Sequence, residues 1–311
     1  MSYRVESDSM GALQVPQDAL YGAQTQRAVN NFAVSAQAMP EAFIRALLQA
    51  KSAAASANAE LGHISAAMAS AIVGAAAHLL QQDDLMTHFP VDIYQTGSGT
   101  SSNMNANEVL AALATQALGE TVGANDHVNF GQSSNDIIPS TIHISAAIEI
   151  ERKLLPALEH LNATIQAKAA AVDQHIKTGR THLMDAMPVR MSQSLLSWSG
   201  QITQHLTQLA QQKTLLHRLA QGGTAVGTGI NADPAFSALF CQKLQALTEI
   251  PFTPADNLFT AIGTQDAAVM ISGQLKAIAV SVMKISNDLR WMNSGPLAGI
   301  GEIALPSLQP G

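Results

Sequence analysis

Three short polar runs interrupt a chain otherwise rich in alanine and leucine: QTGSGTSSNMNANE at Gln95 to Glu108, NDHVNFGQSSND at Asn125 to Asp136, and GRTHLMDA at Gly179 to Ala186. Small hydroxyls, amides and histidine, set between helical segments, are groups that hold a small anion without a metal. In the first run Gly97 and Gly99 allow a tight turn, and Ser98, Thr100, Ser101 and Ser102 stand just ahead of a helix. A helix start presents unpaired N–H groups and partial positive charge, so this spacing suits a carboxylate or phosphate. Taken alone, the same residues read equally well as an ordinary serine/threonine cap. Asn103, Asn105 and Asn107, followed by Glu108, weigh toward chemistry because asparagine is a mediocre helix former.

The second run repeats the pattern. Ser133, Ser134, Asn135 and Asp136 precede Pro139 and a long helical stretch, again concentrating donors at a helix start, and capping again remains open for the run by itself. Two such cradles suit the two ends of a dianion. The third run supplies an imidazole, a side chain that ordinarily titrates near neutral pH and serves as general acid or base. His182 follows Thr181 in a segment read as a loop, opened by Gly179 and closed by Pro188. A lone histidine is more often structural, and the chain has 10. Asp185 is placed either to orient His182 or to cap the next helix.

The elements that must position these runs are mostly helical. The first forty residues, with Gly11, Pro16, Gly22 and Pro40, show no sustained period and read as extended or irregular with one short helix. Helices are predicted over Ala42 to Leu61 and Ser65 to Gln81, with Ser65 as an N-cap, and from Ser101 or Ser102 to Leu118, where Gly119 supplies a stop. Three longer helical segments follow, each of about thirty residues against a usual mean of about eleven. Pro139 to Gln174 carries Leu154, Leu161, Ile165 and Val172 on one side, with Pro156 expected to kink it or interrupt a hydrogen bond. Val189 to Gln221 carries Leu195, Ile202, Leu209 and Leu216 every seventh residue. In the last, Ile271, Leu275, Ile278, Val282, Ile285 and Leu289 alternate steps of four and three, the pattern of a bundle seam. Asp233-Pro234 reads as an N-cap followed by proline at the first helical position. The glycine-rich QGGTAVGTGIN, Gln221 to Asn231, lacks a preceding strand and a Gly-Lys-Ser ending, and reads as a tight connection between helices rather than a nucleotide loop.

Composition narrows the class. Of 311 residues, 47% are hydrophobic, 4% aromatic and only 13% charged, so long helices must bury much of their surface against one another or against other subunits. The net charge of −7 comes without any lysine- or arginine-rich run, which argues against a nucleic-acid partner. One cysteine, Cys241, excludes an internal disulfide framework and makes a zinc site improbable, and it fits a reducing compartment. The acidic start lacks the features of a signal or transit peptide, giving a cytoplasmic expectation. The most lipid-like stretch, Ser65 to Leu80, falls short of a spanning helix, and no membrane partner is expected.

Taken in order, the motifs closely resemble class II fumarase in the fumarase/aspartase superfamily. The resemblance runs from DSMGALQVPQDALYGAQTQRAVNNF at Asp8 to Phe32, through the three polar runs and GGTAVGTGIN, to RWMNSGPLAGIGEIALPSLQPG at the end. Thr181-His182-Leu183-Met184 is similar to the fumarase form, whereas aspartases typically carry Gln-Leu-Gln after the threonine.

The resemblance implies a mainly α fold, a mixed and mostly helical N-terminal domain at 1–135 followed by part of a long-helix bundle at 136–311. It also implies a homotetramer with active sites shared among three subunits. The implied reaction is reversible hydration of fumarate to (S)-malate with no cofactor and no metal. Ser98, Gly99 and Thr100 would bind one carboxylate region, Ser133, Ser134 and Asn135 another, with Thr181 and His182 completing this chain's share and His182 handling the water's proton. Family members often place His-Pro before Asn-Asp in a secondary anion site; Gly123-Ala124 precedes Asn125 and Asp126 here, which puts that site in doubt. In the family, a loop of the form Ser-Ser-x-Met-Pro-x-Lys-x-Asn-Pro follows the segment matched at 305–311 and carries the base serine with a substrate-binding lysine and asparagine. The sequence given ends at Gly311, so it is expected to be a fragment without activity by itself. An aspartase or other lyase of the superfamily, and a non-catalytic oligomer-forming relative, are the competing expectations.

Overall fold

A computed structural model describes residues 2–310. The chain folds as two compact units: residues up to Glu149 together with Leu215–Ala268, and Ile150–Thr214 together with the chain from Val269 onward. The division expected between residues 135 and 136 is therefore not where the units separate. The helix that starts at Ser134 packs on an earlier helix of the first unit, and the chain returns to that unit from Leu215, a reversal no local signal announces.

The first unit opens with an antiparallel hairpin, β1 (Tyr3–Asp8) and β2 (Gly11–Pro16), in register from Tyr3 opposite Pro16 to Asp8 opposite Gly11. The hairpin and the short helix after it match the extended start with one short helix expected from the sequence, and add the pairing of the two strands. Arg27 of α1 (Ala23–Asn31) grips Asp8 at 2.7 and 2.9 Å and fastens the hairpin to the helix. At the centre lies α2 (Glu41–Glu60), whose Ala46, Leu47, Ala50, Ala53, Ala54 and Ala57 are fully or almost fully buried. Small side chains there let several helices approach closely, and α2 packs against α3 (Ala66–Leu80), α5 (Ser134–Glu149) and α8 (Phe236–Thr248). Ser65 caps α3 as expected, its hydroxyl accepting from the Met68 N–H at 3.2 Å. α4 (Thr100–Leu118) ends at Gly119, whose φ of 77° provides the left-handed stop. Asp233 caps a turn by accepting the Ala235 N–H at 2.8 Å, but α8 starts only at Phe236.

In the second unit the expected single helix over Pro139 to Gln174 resolves into three pieces: α5 ends at Glu149 in the first unit, a π-helical turn spans Ile150–Leu154, and α6 covers Leu155–Ala171. Pro156 falls in the first turn of α6, where a missing N–H is tolerated. After α6 comes a second hairpin, β3 (Ile176–Thr181) and β4 (Met184–Arg190), then α7 (Met191–Gln212). The helix expected to reach Gln221 gives way to a 3-10 turn at Lys213–His217 and a two-residue strand, β5 (Arg218–Leu219), which pairs in parallel with β6 (Thr253–Pro254) in the first unit. A short α9 (Leu258–Gly263) precedes α10 (Asp266–Met292).

The core of the second unit joins Leu158, Ile165 and Ala169 of α6, Leu195, Trp198, Ile202 and Leu209 of α7, and Ile278, Ile285 and Met292 of α10. Only half the predicted α10 seam is covered: Ile271, Ile278 and Ile285 are buried, while Leu275 and Val282 are 41% and 39% exposed. α10, of 27 residues with an 18-residue window of mean hydropathy 1.4, is long and apolar enough to cross a membrane by length and composition, whereas the sequence points to Ser65 to Leu80 as the most lipid-like stretch. The buried seam of α10 gives that apolarity a place in this unit's core.

Candidate active site

The first two polar runs meet at two helix starts in the first unit. Gly99 precedes α4 with φ of 68°, and a Cβ placed there would come 2.8 Å from Cγ2 of Ile138 on α5, so a glycine lets the two helix starts close on each other. Ser98 Oγ lies 2.8 Å from Thr100 Oγ1. On the facing helix, Ser134 Oγ accepts from Asn103 Nδ2 of α4 at 3.1 Å. Ser133 Oγ accepts the Asn135 N–H at 3.2 Å, while Asn135 Nδ2 reaches the Ala225 carbonyl at 2.8 Å. Ser98, Thr100 and Asn135 are exposed, Gly99, Ser133 and Ser134 partly so, which leaves their donors accessible. Together they form a rim of hydroxyl, amide and helix-terminal N–H groups suited to an anionic oxygen.

Beneath this rim the sequence reading missed a buried layer. Asp136 is fully buried, and its Oδ2 accepts from Gln221 Nε2 at 3.1 Å and from the N–H groups of Gly222 and Thr224 at 3.1 and 2.8 Å. Its Oδ1 accepts the Ser133 N–H at 2.9 Å. The glycine-rich segment is thus more than a connection: a short strand precedes it, and the second polar run folds it around a carboxylate. Burial pushes the Asp136 carboxyl up to about 6, against the N–H groups and Lys51, which favour its charge. Lys51 of α2 is fully buried too, with Nζ donating to Asn129 Oδ1 at 2.8 Å and Gln132 Oε1 at 2.9 Å. Its spacing from Leu47, Leu48, Ala54 and Asn58 marks the buried face of α2, and that was the available signal.

The asparagine ladder of α4 divides its labour. Asn103 faces the site, Asn105 Nδ2 donates to the His88 carbonyl at 2.9 Å, and Asn107 is buried in the helix packing. Glu108 serves structure: its carboxylate accepts from the N–H groups of Gly22, Gln24 and Thr25 and from the Thr25 hydroxyl, capping α1 from another helix. Asn125 and Asp126 are exposed on a π-helical turn, Ala124–Val128, whose preceding Gly123 N–H donates to His127 Nδ1 at 2.8 Å.

Thr181 and His182 belong to the second unit, where the segment read as a loop is the β3–β4 hairpin. His182 and Leu183 form its two-residue tip with φ of 53° and 64°, and Thr181 pairs with Met184. Two left-handed residues make the twist-matched hairpin turn usually built from Asn-Gly. Asp185 lies in β4 opposite Arg180, so neither role expected of it, orienting His182 or capping a helix, is seen. The hairpin is anchored by Glu302, which pairs with Lys177 at 2.6 Å and Arg180 at 2.7 Å. Burial alone would raise the Glu302 carboxyl; the two cations more than reverse this and hold it below its ordinary value. A cavity of about 1270 Å³ in this unit is lined by apolar side chains including Ile165, Met191, Trp198 and Met292, with Lys177 and Glu302. Neither Thr181 nor His182 lines it. Among the described residues, no group of three or more His, Cys, Asp or Glu side chains is arranged to hold a metal ion.

A family model described as lyase matches residues 11–311, and the chain belongs to that lyase family. Within the family it stands with the class II fumarases. It is 64% identical over 308 residues to the "Fumarate hydratase class II 2" of Pseudomonas aeruginosa, covering 99% of this chain and 67% of that one. It is 55% identical over 309 residues to the class II fumarate hydratase of Xylella fastidiosa strain 9a5c, covering 99% and 65%. The crystal structure of class II fumarase from Schistosoma mansoni matches with a TM-score of 0.96 at 39% identity, covering 100% of this chain and 69% of that one. The chain thus spans about two thirds of the length of these relatives.

Proposed function

We propose that this chain carries the dicarboxylate-binding part of a fumarate hydratase, which interconverts fumarate and (S)-malate. The observation that carries the reading is the meeting of two hydroxyl-rich helix starts, α4 and α5, tied by the Asn103–Ser134 hydrogen bond. In the malate-to-fumarate direction the C3–H bond breaks to a base, its electron pair forms the double bond, and the C2 hydroxyl leaves as water after taking a proton. Charge develops on the carboxylate next to C3 as its proton departs. Fixed donors aimed at that carboxylate lower the barrier because they need no reorganisation as the charge grows. Ser98, Gly99 and Thr100 serve one carboxylate region, and Ser133, Ser134 and Asn135 the other.

Thr181 and His182 complete this chain's share, with His182 transferring the proton of the water. Its exposed position at a hairpin tip leaves the ring open to groups of other subunits. A homotetramer with shared sites is supported by the uncovered face of α10, where Leu275, Val280, Val282 and Met283 are exposed. The protein works in the cytoplasm, a setting compatible with the buried free thiol of Cys241.

The test is turnover by the full protein. Malate should yield fumarate, followed by ultraviolet absorbance, while aspartate run beside it should not. Selective aspartate turnover would overturn the reading in favour of an ammonia-lyase. A His182→Asn change should lower malate turnover by about 10²-fold or more. A variant of unchanged rate would remove His182 from the chemistry.

A further inference from the structure

Lys51 is a fully buried cation that the hydratase mechanism does not use. Desolvating an ammonium costs several kcal/mol, and here its hydrogen-bond partners are two neutral amides rather than a carboxylate. We propose that Lys51 is a positioning residue for the dicarboxylate site: it fixes the Asn129–Gln132 turn and, through Asn129 and Asn103, orients the Ser134 hydroxyl toward the substrate. This rests on the functional reading above, since it presumes that Ser134 binds a carboxylate.

The argument runs through donor directions. An ammonium only donates, so Asn129 and Gln132 must both turn their oxygens toward Nζ. Their amide nitrogens are then aimed elsewhere: Asn129 Nδ2 donates to the Gln132 carbonyl at 3.3 Å, and Gln132 Nε2 to the Val128 and Phe130 carbonyls at 3.0 and 3.3 Å. These bonds lock the turn immediately before Ser133. Asn129 Oδ1 accepts a second donor, Asn103 Nδ2, at 3.2 Å, and the same nitrogen donates to Ser134 Oγ at 3.1 Å. A serine oxygen that accepts from within the protein keeps its own hydrogen for an outside acceptor. Lys51 Nζ and Asn103 Nδ2 thus donate to the same Asn129 oxygen, and the Asn103 amide, held by that shared acceptor, reaches on to Ser134 Oγ at the rim.

Burial lowers the Lys51 amine to about 7, while Asp136 acts to keep it charged, and a carboxylate arriving at the rim would add to that effect. A neutral side chain at position 51 would free both amides to rotate, and Ser134 would lose its fixed sense.

The test is Lys51→Met in the full protein, with succinate binding measured by calorimetry beside malate kinetics. Succinate affinity should fall by about 10- to 100-fold, the range of a hydrogen bond to a charged group. KM for malate should rise by a similar factor, and kcat should fall by less. Asn103→Ala leaves both Lys51 hydrogen bonds in place and removes the amide that joins Asn129 to Ser134. It should show the same loss, and it carries the test if the Lys51 variant does not fold. Folded variants that bind succinate within twofold of wild type would overturn the proposal while leaving the hydratase reading intact. A wild type that neither turns over malate nor binds succinate would instead remove the functional reading on which the proposal rests.

Discussion

Replacing Asp136 separates a structural core from an accessory cap. Its carboxylate satisfies four buried or part-buried donors: the Ser133 N–H at Oδ1, and the Gln221 amide with the Gly222 and Thr224 N–H groups at Oδ2. Asp136→Ala strands all four. Each orphaned buried donor costs about 1–3 kcal/mol, but the donors share one acceptor and relax together, so the expected loss is about 3–5 kcal/mol rather than their sum. Asp136→Asn keeps one oxygen. Turned to the Oδ2 position, it still serves three donors and leaves only Ser133 facing an amide nitrogen, for a loss of about 1–3 kcal/mol. Urea unfolding gives the two stabilities, and hydrogen exchange at Gly222 and Thr224 locates the damage. Protection there should collapse in the alanine variant and largely survive in the asparagine variant. Equal losses in the two variants, or unaltered exchange at Gly222 and Thr224 in Asp136→Ala, would refute the reasoning.

Two further outcomes follow from the same region. Gly99→Ala must adopt φ of 68° and place a methyl 2.8 Å from Ile138 Cγ2, so it should lose about 2–4 kcal/mol in denaturant unfolding; a loss under about 0.5 kcal/mol would contradict that packing. Asp136 also sets a pH dependence. Because burial raises its folded pKa from 3.8 to about 6, the folded state holds the proton more tightly, and the resulting stabilisation is full below 3.8 and lost as pH rises through about 6. The stability of wild type relative to Asp136→Asn should therefore decline across that window in urea unfolding at a series of pH values. A wild-type advantage that grows across it would contradict the burial argument.

Local chemistry made much of this legible from sequence. The cap at Ser65 and the stop at Gly119 depend on residues a few positions apart and fall where the sequence suggests, while α4 starts at Thr100, ahead of the expected Ser101 or Ser102, and α5 starts at Ser134, five residues ahead of the expected Pro139. The hairpins were harder. β3 and β4 are largely exposed and so lack the apolar alternation of a half-buried strand, and their turn uses His182-Leu183 in place of Asn-Gly. Tertiary partners were the least legible. Asp136 reads as part of a polar run ahead of a helix until the segment at 221–224 folds over it, and Glu108 reads as part of another until α1 arrives to be capped. The seam of α10 was correctly periodic, yet Leu275 and Val282 remain exposed because periodicity marks a face and not what covers it.

The most direct test of the account is a crystal structure of the full protein with succinate, an unreactive dicarboxylate. One carboxylate is expected within hydrogen-bond distance of the hydroxyls and N–H groups at Ser98–Thr100 or Ser133–Asn135, with the Ser134 hydroxyl donating to it. Succinate bound only away from both helix starts would contradict the assignment of these residues as the dicarboxylate cradle.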